Sequence, residues 1–390
     1  MCCALLFEQP NHIKMKLIVV GDLSLQDRTA KMAWDDNQLN NAFADIKSIV
    51  ATCDHAIVNL ESPVTSSNQP ILKKGPSLKN NPEVFNIIGY CGFDTVTLAN
   101  NHLKDYGEKG VVDTLDHCRQ RGLTVVGGGG TLNEARQPLI LKNDNITIGV
   151  INVCEHEFSV ATKQSAGANP LDYPNLFEDM QALRREVDKI IVIIHGGREH
   201  YQLPTPRMKR EYQMIADFGA DVIVNHHQHC YSGYEVYKGK PIFYGLGNFF
   251  FDEPKKRDDQ WNQGLLLQLD VETENVDFKL ISYEQCNKEA VVRVSDDSSV
   301  AKQIKELNSI IADDERLEAE FNKLVEKDKR KLLFPFIPYR NHYVRALYNR
   351  GYLSDGLSKK DKVVIENAIS CETHRELLLH FFYSHLHERE

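Results

Sequence analysis

The sequence predicts an α/β protein with a helical C-terminal extension, and three observations carry that prediction. Short apolar runs, each ending abruptly at a polar residue, alternate with stretches of helical spacing through the first two thirds of the chain. The runs are continuous Ile, Val and Leu rather than alternating, which suits strands buried on both faces. From Val300 onward the apolar residues recur at helical intervals instead.

The elements follow in order. The run 16–20 stops at Gly21 and Asp22, 56–58 at Asn59 to Glu61, and 95–99 at Asn100, Asn101 and His102. Further runs at 148–153, 190–194, 222–224 and 242–244 stop at Cys154, His195, Asn225 and Gly245. Between them, 42–50, 84–90, 111–118 and 208–218 have helical spacing, several behind a Pro or an acidic start. The runs 265–271 and 278–283 read as further strands, a second and antiparallel element. Past Val294 the composition shifts. Val300, Ile304, Leu307 and Ile311, then Leu317, Phe321 and Leu324, mark an amphipathic helix, and a Pro-interrupted aromatic stretch at 334–339 precedes more helix. The expected organisation is a tail (1–14), a main domain (15–294) and a helical extension (295–390).

Composition excludes several classes. Of 390 residues, 42% are hydrophobic and 26% charged, which is ordinary globular usage. A formal net charge of −9 gives no global reason to bind phosphate backbones or anionic lipid, so no nucleic-acid partner is expected. The nine cysteines are odd in number and form no C-x-x-C pair, so they read as reduced thiols. No basic start precedes a long apolar core, and no run approaches the ~18 apolar residues of a membrane span. A cytoplasmic location without a membrane span is expected.

Chemistry concentrates where the runs stop. Asp22, Glu61, Asn101 with His102, His195, and His227 with His229 each follow a predicted strand, and ligands gather at the carboxyl ends of strands in open α/β sheets. Carboxylate, carboxamide and imidazole together suit Zn, Mn or Fe. In extended chain His227 and His229 project to one side, with His226 and Gln228 facing the other. Taken singly, each has a plainer reading: Asp22 as a turn residue, Asn100 and Asn101 as a turn pair, Glu61 as a helix cap, His195 as a hydrogen-bonded loop histidine. Five strand ends at one sheet edge weigh against that reading for the set.

The motifs GDLSL (21–25), NLESP (59–63), ANNHLKDYG (99–107), HGGRE (195–199), NHHQH (225–229) and GLGNFFFD (245–252) resemble the CapA family of capsule or poly-γ-glutamate biosynthesis proteins. That family is related to calcineurin-like metallophosphoesterases. KKGPSL (73–78) and GGGGTLNEARQP (127–138) fit the same pattern, and the resemblance covers roughly residues 15–285. It implies a layered α/β/β/α metallophosphoesterase-like sandwich holding one or two divalent ions. One ion would see Asp22, Glu61 and His229, the other Glu61, Asn101, His195 and His227. His102 becomes the leaving-group acid. The phosphoesterase pattern places a histidine two residues after the first Asp, where this chain has Ser24, so the first ion is expected to bind weakly.

Spacing suggests supporting roles. Asp105 would orient His102, and Glu199 would receive the free N–H of His195. Glu155 adds a carboxylate at the same edge, Asn248 lies within the last motif, and Lys73, Lys74 and Arg198 are cations placed to meet an anionic small molecule or polymer. Other features read plainly. Gly127 to Gly130 lack a phosphate-loop pattern and suit a flexible turn. The run 252–259 suits a solvated loop, Phe249 to Phe251 suit core, and His374, His380, His385 and His387 suit a helix surface. The expected function is phosphoester hydrolysis by a metal-activated water in polymer metabolism. Alternatives are γ-glutamyl amide hydrolysis or transfer at the same site, and a non-catalytic accessory role beside polymer-synthesis partners.

Overall fold

Alternation along the strand Met15–Ser24 sets the layers of the molecule. In the computed structural model, residues 14–370 are described apart from 74, 296, 297, 334, 335, 338 and 340, together with 382. Leu17 and Val19 join Ile57, Leu265, Leu267 and Leu269 in a core shared with Ile191 and Ile193 of a second sheet. Ile18 and Val20 point the opposite way, with Ala56, Val58 and Leu266, onto Phe43, Ile46, Ile87 and Ile88 of the helices Asp36–Val50 and Val84–Cys91. Leu176 and Met180 of Tyr173–Leu183 and Tyr212 and Ile215 of Pro206–Phe218 pack with the second sheet. The layers therefore run helix, sheet, sheet, helix. Truncating a side chain such as Phe43 to Ala at this interface costs about 3–5 kcal/mol.

In the first sheet Met15–Ser24, His55–Leu60, Thr95–Thr97 and Thr124–Val126 are parallel neighbours. Gln263–Val271, Val276–Gln285 and Val292–Val294 extend its other side antiparallel, as expected of the late strands. In the second sheet Thr147–Cys154, Lys189–His195, Val222–His226 and Lys240–Phe243 are parallel, with antiparallel strands Leu139–Lys142 and Tyr234–Tyr237 at the edges. Local chemistry supports the helices between them. Asp35 and Gln38 form a reciprocal capping box ahead of Asp36–Val50. Thr205 caps Pro206–Phe218, whose first position is Pro.

Two expectations of the sequence differ from the fold here. The chain divides into compact units at Leu317 and Glu318 rather than at 294. The helix Ser298–Ile311 buries Val300, Ile304, Leu307 and Ile311 in the core of the first unit. Asn308 Oδ1 also accepts from the Tyr234 amide at 2.7 Å, so this helix belongs with the sheets. The glycine run is not a flexible turn. Gly128 and Gly129 pair with Ala168 and Gly167, and a Cβ on Gly127 would lie 2.0 Å from Asn152 Oδ1.

The second unit, described by itself, carries the helices His342–Asn349 and Lys359–Ser370, the first capped by Asn341. The helical C-terminal part of the expectation is present. Lys74, the N-terminal segment 1–13 and the four C-terminal histidines lie outside the described residues. Among the described residues no helix is long and apolar enough to cross a membrane.

Candidate metal centre

Parallel strands deliver their carboxyl ends to one edge, and the first contact there is backbone on backbone. A Cβ on Gly21 would lie 1.7 Å from Gly247 O, so only glycine permits the chain after Phe243 to cross over the first strand. That crossing sets Asp22 opposite Asn248 in parallel register. The GD of the first motif and the GLGN of the last thus form one joint.

Asp22, Glu61 and His229 are buried and each offers a donor atom within 4.8 Å of the others. Asn59 Nδ2 donates to Asp22 Oδ1 at 2.7 Å, and the His227 amide donates to Asp22 Oδ2 at 3.3 Å. His229 Nδ1 lies 2.9 Å from Asn248 Oδ1, which leaves Nε2 facing Glu61 Oε1 at 3.8 Å. Alongside, His195 Nε2 lies 3.0 Å from Asn101 Oδ1 and 3.1 Å from His227 Nδ1. The six residues expected as ligands therefore share one pocket. Across it, His102 Nε2 stands 3.9 Å from Glu61 Oε1. Its Nδ1 is held by Asp105 Oδ2 at 2.6 Å, the orienting contact expected from spacing.

Glu61 is the unusual group. It is fully buried, and neither carboxylate oxygen has a hydrogen-bond partner among the described residues. Burial pushes its carboxyl well above the ordinary carboxylate range, with His229 pulling the other way. Burial likewise opposes the imidazolium of His229, but Glu61 and Asp22 outweigh it and raise the group to about 10. Asp22 is held below its usual value, since the His229 hydrogen bond and nearby imidazoles overcome its burial. An orphaned buried carboxylate facing an imidazole and a second carboxylate is a donor set that fits a divalent cation.

The route by which the histidine pair reaches the site departs from expectation. The strand ends at His226, and His227 (φ +89°) and His229 (φ +55°) are both left-handed. Their convergence comes from a tight loop rather than strand alternation. Ser62 and His200 nearby are also left-handed, a clustering of strained non-glycine residues seen at functional sites.

Several supporting assignments are corrected. Ser24 Oγ sits 3.2 Å from Ser62 Oγ and accepts from Gln26 Nε2 at 3.0 Å, so its hydroxyl is engaged with those two side chains. Glu199 does not receive the N–H of His195, whose Nδ1 faces Asn59 Nδ2 at 3.3 Å; it sits instead with His227 and His229. Glu155 braces the loop by accepting from the Gly197 amide at 3.1 Å and Arg207 Nη2 at 2.9 Å. Lys73 is not free to meet a substrate, because its ammonium, 3% exposed, pairs with Asp105 and lies 3.1 Å from His102 Nδ1. Asp252, expected in a solvated loop, is buried between Arg28 and Arg257. Arg198 is exposed beside Glu199, and Asn248, expected only as a residue of the last motif, lies against His229. Phe249 to Phe251 are core.

Sequence reading missed Asn59, which bridges Asp22 and His195, although it lies two residues before Glu61. The segment 154–158, expected to add carboxylates at this edge, also brings Glu157, whose Oε2 accepts from Asn101 Nδ2 at 3.5 Å.

The chain is 32% identical over 240 residues to the PGA biosynthesis protein CapA of Bacillus subtilis, covering 60% of this chain and 62% of that one. It is 27% identical over 249 residues to the capsule biosynthesis protein CapA of Bacillus anthracis, covering 62% and 60%. The match to a probable polyglutamine synthesis accessory protein of Mycobacterium tuberculosis is 24% over 214 residues, covering 51% and 56%. The chain thus spans about three fifths of the length of the curated relatives it matches. A 5'-nucleotidase from Candida albicans superposes loosely, over 80% of this chain and 58% of that one at 11% identity and a TM-score of 0.40. Residues 16–253, more than half of the chain and every donor of the centre, match the model of the bacterial capsule synthesis protein PGA_cap, and the chain belongs to that family.

Proposed function

We propose that this chain is a metal-dependent hydrolase of phosphoester type, working in capsule or poly-γ-glutamate metabolism. The observation that carries the reading is Glu61, a buried carboxylate without a hydrogen-bond partner among the described residues, set between His229 and the held imidazole of His102. Asp22, Glu61 and His229 are the residues to hold one cation, with Asn101, His195 and His227 beside them for a second. A divalent ion bound there supplies Lewis acidity and a water of lowered pKa. Its identity as Mn, Zn or Fe follows from the mixed oxygen and nitrogen donors.

The rest is the work of the chain. Asn59 fixes Asp22 and His195 against each other. Asp105, itself tied to Lys73 and to the Leu78 amide, fixes the ring of His102 so that Nε2 faces the pocket. That nitrogen is positioned to protonate a departing oxygen. Burial of the donor set keeps bulk water from screening the charges that develop. The polymer setting is supported by the CapA and polyglutamine names of the relatives.

The test is a substrate panel with the metal-loaded chain: p-nitrophenyl phosphate, its bis-ester and poly-γ-glutamate. Turnover of a phosphate ester, lost in His102→Gln while bound metal is retained, supports the proposal. Cleavage of poly-γ-glutamate alone moves the chemistry to the amide bond. No turnover of any of the three, with metal bound, leaves an accessory role and overturns the enzymatic reading.

A further inference from the structure

Asp22, Glu61 and His229 offer three donors, and Ser24, at the position where the phosphoesterase pattern has a histidine, is engaged with Ser62 and Gln26. A different residue approaches from the open side. Glu199 places a carboxylate oxygen within 4.8 Å of donor nitrogens of both His227 and His229, and it is exposed whereas both imidazoles are buried. Its loop is braced on either side. The Gly197 amide donates to Glu155 Oε2 at 3.1 Å, and the His200 amide donates to Gln228 O at 2.8 Å. The second of these is a backbone bond between the two motif loops, which fixes the direction in which Glu199 leaves the chain. Gly197 (φ +100°) and His200 (φ +58°) are both left-handed, so the turn that presents Glu199 is shaped by the backbone itself.

We propose that Glu199 is a direct carboxylate ligand of the metal centre, reaching it from the 196–200 loop, so that loading the ion also pins that loop. The inference rests on the reading of the pocket as a metal site. A carboxylate added to two imidazoles keeps the donors within the range of Zn, Mn and Fe.

The experiment uses the full chain, stripped with a chelator and titrated with Mn or Zn ions alone against a chromogenic competitor. Glu199→Gln is expected to lower affinity at least ~10-fold, as losses around metal ligands do. It should also change the visible spectrum of the Co-substituted protein and abolish ion-dependent slowing of amide exchange at 196–200. Glu186→Gln, an exposed carboxylate outside the donor set, controls for the loss of a charge. Wild-type affinity, spectrum and loop protection in folded Glu199→Gln overturn the ligand role and leave the centre standing. Wild-type protein that binds neither ion overturns both.

Discussion

Replacing Glu61 by Gln separates what this residue does for folding from what it does for the ion. Gln keeps the shape of the side chain and removes a charge that burial opposes, at the loss of the attraction to His229 that works against burial, so the two effects offset in metal-free protein. Without ion, stability should therefore change by no more than about 1 kcal/mol, the scale of one ordinary hydrogen bond. With ion at a hundred times its Kd, the wild type gains about 2.7 kcal/mol by mass action. The first unit runs to Leu317. At ~2.1 cal/mol/K of unfolding entropy per residue, that gain raises Tm by about 4 °C. A roughly 100-fold loss of affinity leaves about 0.4 kcal/mol at the same ion concentration, a shift below about 1 °C. Thermal melts of both proteins, in chelator and in Mn or Zn, measure all four values. A Gln variant that keeps the full ion-dependent shift, or that loses several kcal/mol without ion, refutes the reasoning.

Other perturbations have equally definite outcomes. Ser24→Ala removes the hydroxyl between Ser62 and Gln26 and should cost about 1 kcal/mol in a denaturant melt while leaving ion affinity within about twofold. Gly21→Ala forces a methyl into Gly247 O, so at least ~3 kcal/mol of stability and the ion-dependent melting shift should go together. His55 has its pKa raised chiefly by the hydrogen bond to Asp94, 2.8 Å away. That contribution is complete below the unfolded value near 6.5 and is lost as pH rises through the folded one. The stability difference between wild type and His55→Asn, about half a kcal/mol for so exposed a pair, should thus be widest in mildly acidic buffer and close in alkaline buffer. Ion binding should release protons, because His229 is raised to about 10 and must be deprotonated to ligate. Calorimetry in buffers of different ionisation enthalpy reads that release directly.

Much of the site is legible in the sequence because each donor lies at or within a few residues of the carboxyl end of a strand. The strand ends after Val20, Leu60, Ala99, Ile194 and Val224 are marked by a change from apolar to polar that local sequence displays. Parallel pairing then carries those ends to one edge. What supports the donors was less legible. Lys73 looked like a cation facing substrate, yet 29 positions along the chain it meets His102. Its role depends on where a loop folds back, which spacing does not encode. Glu155 and Glu199 were both read as supports at the sheet edge, and only the turn at Gly197 separates a loop brace from a residue beside the histidines.

The sequence by itself determined the alternation of buried strands and amphipathic helices, and with it the α/β class and the strand ends at which chemistry collects; the pairing of two sheets came with the family resemblance. Periodicity and β-branched runs are local properties, and burial on both faces follows from them. Tertiary structure alone decided that the helix from Ser298 joins the core, that Ser24 turns to Ser62, and that His227 and His229 converge through left-handed backbone. Each of these depends on groups far apart in the chain competing for the same space or the same hydrogen bond, and such competition is settled only when the layers close on one another.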